Sequence, residues 1–178
     1  MGEHFFWITS RSAGIVALLA SSAAVALGLM MSMRLRKGQD LRVMHEALSL
    51  ATMVALAVHA LALLGDGYLT PSLADVTIPF VSDYARWWMS LGIIGGWLFV
   101  ILGLSYYWRG RIGPQRWRIL HRFTALAWLL GVIHSIGIGT DAGALWFLVA
   151  AATLVLPAGA LLARRLLPSG NPSARVAR

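Results

Sequence analysis

Five long apolar segments recur along this chain and limit what it can fold into. They cover about residues 12–33, 41–64, 85–107, 117–138 and 143–163. A helix needs roughly 20 apolar residues to cross the hydrocarbon core of a bilayer, and each segment meets that length. Charged residues make up only 12% of the sequence, whereas a soluble domain has about a quarter. The sequence therefore predicts an all-α integral membrane protein, built as a five-span helical bundle.

The charges between the segments alternate in sign along the chain. The connectors after the first and third segments are basic, and so is the region after the fifth; the basic residues are Arg34, Arg36, Lys37, Arg42, Arg109, Arg111, Arg116, Arg118, Arg164 and Arg165. The connector over 65–84 and the short one with Asp141 are acidic. Basic loops remain in the cytoplasm. We therefore expect the N-terminus outside and the C-terminus inside, in the inner (plasma) membrane, and no nucleic-acid partner despite the net charge of +8.

The sequence also predicts the limits of the domain and restricts its cysteine chemistry. The bundle is expected to form one domain over residues 1–167. Residues 168–178, "PSGNPSARVAR", are polar and rich in turn formers, which predicts a disordered tail. The chain contains no cysteine. Disulfides, thiolate-held iron–sulfur clusters and covalent CxxCH haem sites are therefore excluded within it.

Four histidines lie inside the second and fourth segments. His45 is followed by His59 fourteen positions on, and His121 by His134 thirteen positions on. Both segments are even-numbered and cross the bilayer in the same direction, so His45 and His121 are expected at one depth, near the cytoplasm. His59 and His134 are expected together nearer the outside. Fourteen helical residues extend roughly 21 Å, so two histidines on one helix cannot share a metal ion.

Each depth thus offers two imidazoles, and two axial histidines suit a haem iron because the porphyrin supplies the other four ligands. Iron held on both faces has no open position, which favours electron transfer over oxygen binding. The alternative is a haem-free structural protein in which buried histidines bond to neighbouring helices. Ionisable residues inside spans are costly and usually functional. Four of them, matched by depth, favour the haem interpretation.

The helical spacing suits one pair of positions better than the other. Fourteen residues return to within roughly 40° of the starting face, whereas thirteen miss it by more than about 100°. We therefore expect a local distortion near Gly131, or different ring orientations, in the fourth span.

Arginines near the two depths are candidate partners for anionic haem propionates. At the outer depth these are Arg11 and Arg86, for which interfacial snorkelling is the alternative. At the inner depth they are Arg42, Arg118 and Arg122, where topology alone already explains basic residues.

The histidine pattern and its surroundings resemble the ferric reductase-like transmembrane domain, the haem-bearing core shared by ferric reductases and NADPH oxidases. The matching words are "WITSRSAGIVALL", "MHEALSL", "RWRILHRFTALAWLLGVIH" and "GTDAG". The resemblance covers roughly residues 5–163 and implies two stacked b-type haems between the second and fourth spans. It implies that His45 with His121 hold the inner haem, and His59 with His134 the outer one.

No flavin- or nicotinamide-binding pattern occurs in this sequence, so electrons are expected from a redox partner protein or a quinol. The sequence thus predicts the electron-transfer component of a membrane oxidoreductase, working from a cytoplasmic or membrane donor towards the outside. The acceptor would be a ferric chelate, oxygen or an extracytoplasmic redox protein. The alternative function is a quinone-reactive cytochrome b that anchors a multi-protein oxidoreductase in the membrane.

Overall fold

The described part of the computed structural model, residues 4–167, is helical and has no strand. Five helical stretches in it are long and apolar enough to cross a membrane: Phe5–Ser32, Gln39–Leu63, Arg86–Ile112, Pro114–Ile138 and Leu145–Leu166. The predictions of an all-α fold and of five spans are confirmed, and the chain is a membrane protein. The tail predicted over 168–178 lies outside the described residues.

The helices have the following bounds along the chain. They are α1 (Phe5–Ser32), α2 (Gln39–Leu63), α3 (Leu73–Thr77), α4 (Arg86–Leu104), α5 (Arg109–Ile112), α6 (Pro114–His121), α7 (Thr124–Ile138) and α8 (Leu145–Leu166), with a 3₁₀ turn over Ser105–Trp108 that joins α4 to α5. The first span begins seven residues before the predicted start at residue 12. The extra two turns place Ser10 and Arg11 on α1 rather than in a loop ahead of it.

The helices pack in pairs. α1 lies along α2, α4 lies along α7, and α8 covers another face of α1. By contrast, α2 makes few close backbone contacts with the fourth span, α6 and α7. These are the helices that carry the four histidines. Gly95 lets α4 approach α7, because a Cβ there would lie 3.0 Å from the Ala127 carbonyl oxygen. The two histidine-bearing helices are therefore held by their neighbours and face each other across a gap.

The fourth span is interrupted between α6 and α7. Arg122 and Phe123 belong to neither helix. The backbone N–H groups of Arg122, Phe123 and Ala125 donate to carbonyls three residues earlier, as in a 3₁₀ turn. A 3₁₀ turn rotates about 120° per residue instead of 100°. The tighter turn therefore adds rotation between His121 and His134, which thirteen regular residues would leave on different faces. The distortion expected near Gly131 is wrong in position, since α7 is continuous there.

The connector over 65–84 lies at the end of the bundle nearer to His59 and His134, the end predicted to face outside. Its short helix α3 is capped by Ser72, whose hydroxyl and backbone N–H both bond to the Asp75 carboxylate. These two hydrogen bonds lower the pKa of Asp75 below its ordinary value. The Trp97 indole N–H donates to the Thr77 carbonyl (2.8 Å), which ties α3 to α4. The connector therefore has a defined position above the histidine-bearing helices.

Candidate functional site

The four histidines of the spans form two pairs. Each pair has one histidine from α2 and one from the fourth span, which consists of α6 and α7. The ring centroids of His45 and His121 are 6.2 Å apart with their planes at 84°. Those of His59 and His134 are 6.4 Å apart with their planes at 78°. The pairing is the one that the depths of the residues in their spans indicate.

The ring spacing fits two axial ligands of one iron. A metal–imidazole bond is about 2.0 Å long and the ring nitrogen lies about 1.1 Å from the centroid, which puts two opposed rings about 6.3 Å apart. Directly touching aromatic rings fall in a similar range, so distance alone does not decide. Within residues 4–167 no three His, Cys, Asp or Glu side chains converge as a metal site. Two imidazoles alone suit a metal whose remaining ligands come from a macrocycle.

The hydrogen bonds of three rings determine which nitrogen is left for a ligand. Nδ1 of His45 bonds to the Ala24 carbonyl (2.9 Å) and Nδ1 of His59 to the Ser10 carbonyl (2.8 Å). Nδ1 of His134 bonds to the Trp88 carbonyl (2.9 Å). A carbonyl oxygen only accepts, so Nδ1 carries the hydrogen in each ring and Nε2 carries the lone pair. Metal-binding histidines are held in this way, with the other N–H given to a carbonyl.

Glycines on α1 make room for the two rings of α2. A Cβ on Gly14 would lie 3.0 Å from Nδ1 of His59, and one on Gly28 would lie 3.1 Å from Cε1 of His45. The two glycines are fourteen positions apart, as are the two histidines. Because α1 and α2 run in opposite directions, each glycine faces one imidazole.

A glycine on α4 makes room for the imidazole ring of His134 on α7. A Cβ on Gly92 would lie 2.6 Å from Nδ1 of His134, too close for any real side chain. Gly92 and Gly96 have the Gly-x-x-x-Gly spacing that often brings two membrane helices into contact. Neither contacts the backbone of another helix here. Gly92 admits an imidazole, and Gly96 faces open space along the cavity described below.

His121 is held differently from the other three. Its ring stacks on Trp117, with centroids 4.8 Å apart and planes at 23°. Its Nδ1 is buried and makes no hydrogen bond of normal geometry among residues 4–167, although the Leu102 carbonyl of α4 is close enough to interact with the ring. The Trp117 indole N–H donates to the Ser105 hydroxyl (3.1 Å), which fixes the stacked ring. This histidine ends α6, directly before the break in the span.

A cavity of about 530 Å³ lies between α1, α2, α4 and α7 at the depth of His59 and His134, which is the predicted outer depth. Both His59 and His134 line it, and most of the remaining wall is apolar. The lining continues from Thr52 at mid-depth to Tyr68 and Tyr84 in the connector. An apolar space of this size beside two imidazoles fits a porphyrin ring, because ligand sites are mostly apolar and of a few hundred Å³.

The predicted arginine partners lie in three different settings. Arg11 forms an ion pair with the buried Asp141 and lines the outer cavity. Arg86 pairs with Asp83 (2.8 Å) on the surface. Arg122 is exposed at the break after His121, and Arg42 and Arg118 are also exposed. A propionate role for any of these arginines stays a prediction.

Sequence reasoning missed several residues that hold the imidazoles. These are Ser10, Gly14, Gly28 and Trp117. For Gly14 and Gly28 a signal was present, since their spacing equals that of His45 and His59. Ser10 acts through its backbone carbonyl, which has no side-chain signature. Its hydroxyl also donates to the His59 carbonyl (3.0 Å).

One comparison with known proteins gives a match. The family model described as ferric reductase like transmembrane component matches residues 13–132. No curated protein and no solved structure matches the chain. Domains of this family transfer electrons across membranes and usually bind haem. The match covers more than half of the chain, from α1 into α7, and includes His45, His59 and His121, while His134 lies two residues beyond its end. The protein therefore belongs to the ferric reductase like transmembrane family.

Proposed function

We propose that the protein conducts electrons across the membrane through two b-type haems. His45 and His121 hold the inner haem, and His59 and His134 the outer one. The observation that carries this proposal is the geometry of the pairs. At both depths two imidazoles face each other at the spacing of a shared iron. Three of the four give their Nδ1 hydrogen to a backbone carbonyl and so keep Nε2 for a metal.

The protein's own contribution is to fix these rings and to exclude water around them. Carbonyls of α1 orient both histidines of α2, and a carbonyl of α4 orients His134. Rings held in advance lose little entropy when a ligand binds. The bound haems supply sites that accept and release one electron each. The apolar lining of the outer cavity keeps the local dielectric constant low, which is a main determinant of redox potential.

Charge gives the proposed direction. The alternation of basic and acidic connectors supports an orientation in the plasma membrane with the N-terminus outside and the C-terminus inside. His45 and His121 then lie on the cytoplasmic side. The donor is a cytoplasmic redox protein or a membrane quinol, and the acceptor is a ferric chelate, oxygen or an extracytoplasmic redox protein. Arg11, beside the outer cavity, is the partner for a propionate of the outer haem.

A haem count on detergent-purified protein tests this proposal. We expect two non-covalent b-type haems per chain in a pyridine haemochrome assay, with a reduced-minus-oxidised spectrum typical of bis-histidine iron. One haem per chain would contradict the two-centre scheme. A colourless protein from haem-replete cells would overturn the proposal and favour a structural role for the histidines.

A further inference from the structure

A buried carboxylate stands at the outer end of the large cavity. Asp66 follows the end of α2 by three residues, is 3% exposed and lines the cavity with His59 and His134. Its Oδ1 accepts hydrogen bonds from the backbone N–H groups of Tyr68 (2.8 Å) and Leu69 (3.4 Å). Its Oδ2 is buried and has no hydrogen-bond partner among residues 4–167.

A carboxylate oxygen without a donor is costly in a buried position, and such atoms are rare in native proteins. Two arginines on this side of the bundle pair with other carboxylates, Arg11 with Asp141 and Arg86 with Asp83, and neither bonds to Asp66. Bulk water scarcely reaches the side chain of Asp66. A partner for Oδ2 therefore comes from the cavity that Asp66 lines.

The surroundings restrict what this partner is. It must donate a hydrogen bond, and it must fit walls that include Leu63, Leu69 and Val76. A ferric chelate carrying carboxylates would be repelled by Asp66, oxygen has no hydrogen to donate, and a protein is too large to enter. A hydroquinone satisfies both conditions, since it carries hydroxyl groups on a flat ring that suits apolar walls.

We propose that the outer end of the cavity is a binding site for a quinol, whose hydroxyl donates a hydrogen bond to Oδ2 of Asp66. A quinol at this end would exchange electrons with the outer haem directly and not through the inner one, because the cavity is lined by His59 and His134. It is thus a second route by which a membrane donor reaches the outer centre, and that link rests on the proposed function above. The binding site itself rests only on the cavity and on Asp66.

The substitution Asp66→Asn tests the polarity of this hydrogen bond. Two backbone N–H groups point at Oδ1, so the amide oxygen takes that place and the amide nitrogen takes the place of Oδ2. A group that only accepts becomes one that donates. The shape of the site is retained while its preference for a hydroxyl is removed.

The probes are 4-heptylphenol and its methyl ether, which differ in one O–H donor and do not exchange electrons with haem. Binding to the full-length, detergent-purified protein is followed by tryptophan fluorescence. We expect the wild type to bind the phenol about tenfold more tightly than the ether, as a hydrogen bond to a charged group provides. Asp66→Asn should bring the ratio close to one. Asp83→Asn, an exposed aspartate of the same connector, should leave it unchanged.

A quinol arm completes the experiment. Decylubiquinol, added without oxygen, should displace 4-heptylphenol from the wild type. Equal binding of phenol and ether by the wild type, or an unchanged ratio in Asp66→Asn, would overturn the proposal and assign Oδ2 to an ordered water. Failure of decylubiquinol to displace the phenol would overturn the quinol assignment. Haem is counted in the same samples, so a haem-free protein that prefers the phenol would refute the proposed function and keep the site.

Discussion

The outer and inner histidine pairs have nearly the same ring spacing but are held in different ways. At the outer depth, both His59 and His134 give their Nδ1 hydrogen to a carbonyl of a neighbouring helix. At the inner depth only His45 does so. His121 makes no hydrogen bond of this kind with normal geometry among the described residues and stacks on Trp117 at the end of α6.

The difference shows that equal spacing does not mean equal preorganisation. Partners that orient a metal-binding histidine typically contribute ten- to a hundredfold in affinity, by fixing the ring and its protonated nitrogen. The outer pair has that support on both sides, whereas in the inner pair His121 has only the weaker interaction with the Leu102 carbonyl. We therefore expect the outer centre to keep its haem more firmly than the inner centre.

Removing one histidine should give the largest effect. His59→Ala should remove the outer haem and leave the inner one, and His121→Ala should do the reverse, because each iron would lose one of two protein ligands. The haem count should fall from two to one in each variant. Difference spectra and redox titration of the remaining centre identify which haem is left.

The matched control for these variants is His4→Ala, since His4 is exposed at the start of α1. It should keep both haems. Loss of both haems from either single variant, or two full haems with unchanged spectra, would refute the assignment of ligands to two separate centres.

Adding a methyl group at the glycines that face the imidazoles should give the next largest effect. In Gly92→Ala the new Cβ would meet the His134 ring at 2.6 Å, and in Gly28→Ala it would meet the His45 ring at 3.1 Å. We expect outer haem retention to fall about ten- to a hundredfold in Gly92→Ala. Gly28→Ala should show a smaller loss, confined to the inner haem. Haem release to excess apomyoglobin measures both.

Gly159→Ala serves as the control for the glycine variants. It lies within α8, where a Cβ would make an ordinary contact of 3.8 Å with Trp128. All three changes gain about the same helix propensity, roughly 1 kcal/mol. A haem loss in Gly159→Ala equal to that in Gly92→Ala would show that the effect is not specific to the imidazole.

The stacked contact of the inner pair should matter less. Trp117→Leu removes the ring that lies against His121, and aromatic contacts of this kind contribute about 0.5–1.5 kcal/mol. We expect the inner haem to dissociate roughly three- to tenfold faster, with the outer haem unchanged. Trp117→Phe keeps a stacking ring but loses the hydrogen bond to Ser105. Its rate of inner-haem dissociation should lie between those of the wild type and Trp117→Leu. A change confined to the outer haem would contradict the pairing.

Much of this arrangement is predictable from the sequence, because the bilayer fixes the length of a spanning helix and requires successive connectors to lie on opposite sides of the membrane. Five apolar segments predict five spans, and parallel crossing of the second and fourth predicts which histidines share a depth. The fold thus follows from composition and period. The pairing of His45 with His121 needs only the added fact that both helices stand in one bundle.

The features that sequence reasoning missed depend on contacts between helices. No Pro or Gly lies at or next to the break at Arg122 and Phe123, so residue types do not indicate it. The sequence predicts the distortion at Gly131 instead, since that is the glycine between His121 and His134. The carbonyl of Ser10 that orients His59 belongs to the backbone and leaves no trace in residue type. Arg11 was considered for a propionate, yet its ion pair with Asp141 joins residues that are 130 positions apart.

That ion pair provides the test with the smallest expected effect. Arg11→Gln leaves the buried carboxylate of Asp141 without its partner, whereas Arg86→Gln breaks a pair whose two side chains are exposed. Unpaired buried charges are costly and exposed pairs contribute little, so we expect about 1–2 kcal/mol of destabilisation for Arg11→Gln and under about 0.5 for Arg86→Gln. Thermal unfolding in detergent measures both, and Arg11→Gln with Asp141→Asn should recover most of the loss. Because Arg11 lines the outer cavity, only the outer haem spectrum should shift in Arg11→Gln. A shift of the inner spectrum instead would contradict the depth assigned to the two pairs.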